Sequence, residues 1–434
     1  MEIFTLPLPQ YEDKLPLELA VCTKSIQMYR IILPYCSLSD DRLKKSSLFL
    51  LAAKVGFSDL VEEYVYDGWS ISPLQTIKYA NQPEQRTPLD IAAEYGHDDF
   101  VLELCQQSDK PPWEDKYNAI RMASRNGHCS TIRILLGCHA PLEGTQNSSG
   151  HKRPIMEAIA NGHVEAVRIL LDTGASRYQR HGKELLHEAA MRAHLSIVQI
   201  LLKHGAEVEE LSGSRTVIHS ASSGGCVGIL KTLLNASSNL EIDSKDDQGE
   251  TPLMAAVSYH KHAAIEYLLA EGARIEERDK IGRPVLFHAV IVPLRSGIGR
   301  VYTGAATVLE TVMLLCSHGA NIHSKDFEDT TALMFAAKLC NLDLMRFLVS
   351  RGADVTCLNK ERRFGGRWNT LTFTLTASSK VGKDDVYECI LFLVELGLDI
   401  QEKLALGAGW DRPETAIVKK RIEVARSFQK TKKP

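Results

Sequence analysis

The 434-residue chain lacks close cysteine pairs. Its ten cysteines are scattered so that no two stand nearer than nine residues, which removes the usual spacing of a zinc site or a redox dithiol. Most of them sit in apolar runs of helical character, where a thiol behaves as a small hydrophobe. Long apolar runs are missing as well. No stretch approaches about 18 uninterrupted apolar residues, so no membrane-spanning helix is expected. The opening residues, 1–7, show no basic region followed by an apolar run, so no secretory signal is expected either. Charge of one sign is also absent: 51 Lys and Arg stand against 54 Asp and Glu, a formal net charge of -3. Bulk charge therefore points neither to nucleic acid nor to an anionic membrane. Aromatic residues are few, at 7%, while apolar residues reach 44% and charged ones 24%, the balance of a folded chain. Such a chain is expected to be cytoplasmic. At this length, several domains or a repeat array are expected rather than one core.

A repeat is present. Ala20, Ala52, Ala92, Ala123, Ala158, Ala189, Ala221, Ala255, Ala289 and Ala336 recur in similar surroundings, at spacings of 32, 40, 31, 35, 31, 32, 34, 34 and 47 residues. The text around them repeats too. Thr87-Pro88-Leu89-Asp90-Ile91-Ala92-Ala93 parallels Thr251-Pro252-Leu253-Met254-Ala255-Ala256, and Gly96-His97 recurs as Gly127-His128 and Gly162-His163. Farther along each unit comes a stripe such as Val167-Arg168-Ile169-Leu170-Leu171, closed by Gly174-Ala175.

Each unit reads as two short helices and a turn. Thr caps the first helix and Pro takes its first position, where the missing N–H costs nothing. Small alanines let neighbouring helices approach closely. Glycine ends the helices because it adopts the left-handed conformation freely. The links begin Asp-x-x-Gly, as in Asp246 to Gly249 and Asp279 to Gly282, a turn-forming arrangement. No unit could bury its apolar face alone, and stacking buries it. In these residues the chain resembles the ankyrin repeat, a unit of about 33 residues with a hairpin turn and an antiparallel helix pair. The resemblance implies an all-α ankyrin-repeat solenoid of about ten or eleven units. It divides the chain into a degenerate or capping repeat at 1–45, an array at 46–400, and a capping segment with a basic tail at 401–434.

Insertions interrupt the pattern near 69–85, 293–307 and 356–369, and all four tryptophans lie in insertions or linkers. They either hold the loops down or mark contact spots. Residues 15–19, Leu-Pro-Leu-Glu-Leu, fit either a capping repeat or the start of an F-box, which would make the chain a substrate adaptor of a ubiquitin ligase. The tail, with Lys419, Lys420, Arg421, Lys430, Lys432 and Lys433, fits either an amphipathic capping helix or a two-part nuclear-import pattern, so a nuclear location stays open.

Catalytic chemistry finds little support. Most of the fifteen histidines that bear on the question recur in register, as His97, His128, His163 and His194 do, which suits a framework role through hydrogen bonds between units. His260-Lys261-His262 is off-register, expected to be exposed, and has no acidic or thiol partner nearby in sequence. No phosphate loop is present, Tyr302 breaks the glycine pattern of 296–304, and Asp243 to Glu250 lacks two carboxylates of a calcium loop. No enzyme, metal or cofactor is expected, and no small-molecule substrate.

Binding to a protein partner is the remaining function. The resemblance implies a concave surface made by hairpin tips and first helices. Aligning the units on the alanine ladder places Arg86, Lys152, Lys183, Arg215 and Arg283 just before first helices, and Arg125 and Arg192 near their ends. These seven are the candidate partner-binding residues. Either the cations merely solubilise that face, or they form a basic groove for an acidic or phosphorylated segment.

Overall fold

A computed structural model describes residues 16–32, 42–66, 86–107, 111–143, 153–174, 182–209, 211–237, 239–295, 305–360, 369–375 and 383–398. The chain divides into two compact units, one of residues 1–189 with 196–206, the other of 190–195 with 207–434.

The first unit is built of helix pairs: α1 (Pro16–Cys22) with α2 (Ile26–Ile32), α3 (Arg42–Val55) with α4 (Asp59–Tyr66), and α5 (Pro88–Tyr95) with α6 (Asp98–Gln106). They continue as α7 (Trp113–Asn126) with α8 (Cys129–Gly137), α9 (Pro154–Ala160) with α10 (Val164–Asp172), and α11 (Gly182–Met191) with α12 (Leu195–Lys203). First helices stack on one another, α1 on α3, α3 on α5, α5 on α7 and α7 on α9. Alanine at the contact makes this possible: Ala52, Ala92, Ala123 and Ala158 are fully buried. Second helices add the apolar stripe, with Phe100, Val101 and Leu104 of α6 and Ile132 and Leu135 of α8 also fully buried. Each such aliphatic side chain contributes roughly 1.5–3 kcal/mol through burial.

The second unit follows the same plan. Its pairs are α13 (Val217–Gly224) with α14 (Val227–Ala236), α15 (Pro252–Ser258) with α16 (His262–Ala270), α17 (Val285–Arg295) with α18 (Ala305–Ser317), α19 (Ala332–Lys338) with α20 (Leu342–Ser350), and α21 (Thr370–Leu375) with α22 (Lys383–Glu395). Ala221, Ala289 and Ala336 are fully buried, and Ala255 is 2% exposed. Among the described residues there is no named strand. Only three isolated antiparallel bridges appear, Ser212 with Arg215, Arg278 with Pro284, and Lys325 with Thr331. They are the stems of hairpin turns.

Local chemistry matches the helix boundaries. Thr87 caps α5, its hydroxyl accepting from the N–H of Asp90 while the Asp90 carboxylate accepts from the N–H of Thr87. Thr251 and Thr331 cap α15 and α19 in the same way through their hydroxyls. Two details differ from the sequence expectation. Trp113, expected in a linker, is the first residue of α7 and is half-exposed. The insertion at 293–307 is partly helical, since α17 runs on to Arg295 and α18 begins at Ala305. Residues 69–85, 296–304, 361–368 and the tail 401–434 lie outside the described residues, as do Trp69, Trp368 and Trp410. At the start, α1 packs on α2 and α3 with Ala20 fully buried.

Candidate functional site

In the first unit the repeated Gly-His forms a junction between neighbouring repeats. Gly96 ends α5 in the left-handed region, at φ 73°, and a Cβ there would stand 2.6 Å from His128 Nδ1. His128 Nε2 lies 2.9 Å from the carbonyl of Glu94, so the imidazole carries its proton on Nε2 and donates it. His97 donates likewise to the carbonyl of Lys54, and His163 to that of Arg125, each at 2.9 Å. Each imidazole thus satisfies an orphan carbonyl at the end of the preceding first helix. It also fixes the backbone that presents Lys54, Tyr95 and Arg125. Tyr95 is 47% exposed, stacks on the His97 ring, and carries the Lys54 ammonium 5.9 Å above its own ring.

The second unit is held by its turns. Asp246 Oδ1 accepts from the N–H groups of Gln248 and Glu250, Asp279 Oδ1 from those of Ile281 and Arg283, and Asp326 Oδ1 from those of Glu328 and Thr330. This explains the Asp-x-x-Gly spacing: the carboxylate folds the turn, and the fourth residue takes positive φ. Asp329 stands in that place in the third turn at φ 57°. The tips then join hand to hand, as Lys280 N–H donates to Gln248, Phe327 N–H to Ile281, and Lys360 N–H to Glu328, at 2.9, 3.1 and 2.7 Å.

Three of the seven candidate cations are paired with carboxylates of the chain. Arg86 is half-buried and paired with Glu94. Arg215 spans Asp246 and Glu250, at 2.9 and 2.7 Å. Burial opposes ionisation of Asp246, but Arg215 and the turn N–H groups outweigh it and hold the carboxyl below its ordinary range. Arg283, expected on the partner-facing surface, is buried instead, 8% exposed, with Nε 2.7 Å from Asp279 Oδ2. His288 Nε2 lies 3.3 Å from the same oxygen. Burial again opposes ionisation, and the bonds from His288 and Arg283 overcome it, leaving Asp279 well below the usual carboxylate range. Arg283 therefore anchors its turn. Arg125 and Arg192 are exposed, the Lys183 side chain lies outside the described residues although its backbone is in α11, and Lys152 lies outside them altogether.

His260 also departs from expectation. It is buried, with Nδ1 2.9 Å from the Thr311 hydroxyl, and His262 Nε2 reaches the same oxygen at 2.8 Å. Burial, with His262 beside it, pushes His260 down to about 4, so the ring is neutral at pH 7. The sequence disguises its register: at φ 53° it occupies the place of Gly96 and Gly127, two residues after the end of α15. His219 is likewise buried, bonding the Glu250 carbonyl at 3.0 Å, as a framework histidine should. Among the described residues no group of three or more His, Cys, Asp or Glu could hold a metal ion, and no helix is long and apolar enough to cross a membrane. The side chains that sequence reasoning passed over are those of the tips: Ile281 is 43% and Phe327 68% exposed.

Stacked helix pairs with hairpin tips define a helical repeat protein. The ankyrin repeat family model matches three times, at residues 48–147, 120–212 and 209–279, and the single-repeat model matches 328–360. The chain belongs to the ankyrin repeat family. It is 26% identical over 330 residues to the ankyrin repeat and KH domain-containing protein mask-1 of Caenorhabditis elegans, covering 70% of this chain and 11% of that one. It is 29% identical over 204 residues to the mouse B-cell lymphoma 3 protein homolog, covering 46% of this chain and 36% of the relative. The crystal structure of the Bcl-3 ankyrin repeat domain aligns with 56% of this chain and 99% of its own at 27% identity and a TM-score of 0.37. The chain thus spans only 11%, 10% and 19% of the length of three of the curated relatives it matches.

Proposed function

We propose that the chain is a non-enzymatic protein-interaction scaffold or adaptor whose partner binds the surface made by hairpin tips and first-helix ends. The observation that carries this reading is the division of labour in each repeat. Histidine, aspartate and alanine hold the framework, while Lys54, Tyr95 and Arg125 project from it into solvent. Exposed cations at Arg125 and Arg192, with Lys152 and Lys183 as further candidates, favour a partner segment that is acidic or phosphorylated. Arg86 in the first unit, and Arg215 and Arg283 in the second, are paired with carboxylates of their own unit. A cytoplasmic location, with nuclear entry left to the basic tail, accords with this role.

Affinity capture with the full chain tests the reading. A specific protein should be retained by the wild type and lost on combining Arg125→Glu with Arg192→Glu, with the unfolding midpoint unchanged. Retention of that protein by the double variant would move binding to another face. Co-capture of a cullin-type subunit would instead favour the ubiquitin-ligase adaptor, for which residues 15–19 are the only support in the sequence.

A further inference from the structure

The second unit carries an exposed apolar pair on adjoining hairpin tips. Ile281 and Phe327 are joined through the backbone, the Phe327 N–H donating to the Ile281 carbonyl at 3.1 Å. The Phe327 ring lies against Gly282, whose φ is +81°, and a Cβ on that glycine would stand 2.4 Å from Phe327 Cδ1. Only glycine leaves room for the ring there. The aromatic side chain is thus braced on the neighbouring turn, yet 68% of its surface faces solvent. An exposed, braced aromatic is the kind of side chain that anchors an interface, because little rotamer freedom remains to be lost on binding.

The charges around the pair are unbalanced. Arg278 donates to the carbonyls of Gly282 and Lys325, at 2.6 and 2.7 Å, so its positive charge is held at the tips but not neutralised by those bonds. Lys280 and Lys325 are exposed beside it, and Lys280 makes no ion pair among the described residues. Within 278–282 and 325–328, Glu328 is the exposed anion, and Lys325 also acts through its charge on Asp354 beyond them. By contrast, Lys360 beyond the pair is matched by Asp329 at 2.8 Å. A small apolar platform rimmed by cations complements a segment that presents a bulky apolar side chain between carboxylates.

We propose that the tips at Ile281 and Phe327, with Lys280, Lys325 and Arg278 around them, seat a short acidic-apolar segment of a protein partner. This rests on the chain acting as a partner-binding scaffold, and it gives the acidic partner a different contact from the first-helix arginines. The apolar residue of the segment packs on the Phe327 ring and Ile281, and its flanking carboxylates meet Lys280 and Lys325.

The test uses the full chain and an array of 12-residue peptides, each with one Leu or Phe among Asp and Glu. Matched peptides carry Ser for the apolar residue or Lys for the acids. The acidic-apolar peptides should bind, and both replacements should abolish binding. Phe327→Ser should weaken binding at least tenfold, and Ile281→Ser serves as a second variant. Lys280→Glu should weaken it severalfold and flatten its dependence on salt. Unfolding midpoints should fall only slightly, since Phe327 is 68% and Ile281 43% exposed. Equal binding of the Ser-substituted peptides, or no effect of either apolar variant, overturns the proposal. So does a dimer in sedimentation that Phe327→Ser dissociates, or binding to anionic lipid vesicles that the same variant abolishes. If no peptide binds while the captured protein still depends on Arg125 and Arg192, this inference fails alone. If neither surface matters, the scaffold reading fails with it.

Discussion

The same position in the repeat is solved by different chemistry in the two units. After α5 and α7 the chain turns at glycine, and an imidazole of the following repeat closes over it onto a helix-end carbonyl. In the second unit Gly225 faces the methylenes of Lys261 instead, and farther on His260 and Cys340 themselves occupy the left-handed position. There the turns of Asp246, Asp279 and Asp326 take over, folded by their buried carboxylates and joined tip to tip. The lesson is that repeats need a junction at each step, but not one particular residue. Stability in the first unit should concentrate in the Gly-His contact, and in the second in the aspartate turns.

Breaking the first kind of junction should have the largest effect. Gly96→Ala would strain a backbone at positive φ and drive a methyl into the His128 ring, which also threatens its bond to the Glu94 carbonyl. Together these should cost about 2–4 kcal/mol. Gly205 has positive φ but nothing within 4 Å of a would-be Cβ. Gly205→Ala should therefore cost only about 1 kcal/mol. Chemical denaturation measures both. Adding His128→Ala to Gly96→Ala should recover part of the loss, so the pair should fall short of additivity. Strict additivity would show that the ring and the glycine are not coupled.

The alanine ladder allows an intermediate test in each unit. Ala189→Leu and Ala255→Leu should each overpack a first-helix contact and cost about 1–3 kcal/mol. Both residues are buried, at 0% and 2% exposure. An unchanged unfolding midpoint for either would place its helix in another register.

Two buried aspartates sharpen the comparison through pH. Asp90 in α5 is pushed up to about 7, because burial outweighs the bonds from Thr87, and Asp115 adds repulsion. Its unfolded value is near about 4. The folded state then holds more protons than the unfolded one between these values, so this group's contribution falls as pH rises from about 4 to 7, at up to about 1.4 kcal/mol per pH unit. Asp279 behaves oppositely. Its folded value is depressed, so its contribution is full above its unfolded value and is lost as pH falls through the acid range. Asp90→Asn should flatten the slope between pH 4 and 7, and Asp279→Asn should flatten the slope below about pH 4. Thermal unfolding across that range checks the sign of each.

Much of this fold was legible in advance because repetition averages over local ambiguity. The alanine spacing, the Thr-Pro starts and the glycine ends place helices without tertiary information, and each Gly-His names its own junction. The candidate site was harder to read. Arg86, Arg215 and Arg283 look alike in an alignment of repeats, since each precedes a first helix. Whether such a cation faces solvent depends on carboxylates elsewhere: Glu94 lies eight residues on, while Asp246 and Glu250 belong to the following repeat. His260 was misread because an imidazole replaced the expected glycine. Phe327 was hidden for a related reason, as Asp329 stands where its turn would otherwise carry glycine.

The smallest expected effect comes from restoring the rule where the sequence breaks it. The residue that follows a first helix and takes positive φ is glycine at Gly56, Gly96, Gly127, Gly162 and Gly225, but alanine at Ala193, with φ 63°. The left-handed conformation crowds an L-residue's Cβ against its own carbonyl, at roughly 1–2 kcal/mol. Glycine removes that strain, although its freer unfolded chain takes back part of the gain. Ala193→Gly should therefore stabilise the protein by about 0.5–1 kcal/mol. The bond from the Ala193 N–H to the Ala190 carbonyl, 3.1 Å long, is a backbone bond and survives the change. A higher denaturant midpoint with an unchanged slope is the expected outcome. A lower midpoint would mean that the Ala193 methyl contributes packing worth more than the strain it causes, and that this junction, unlike those at Gly96 and Gly127, is held by the very residue that breaks the pattern.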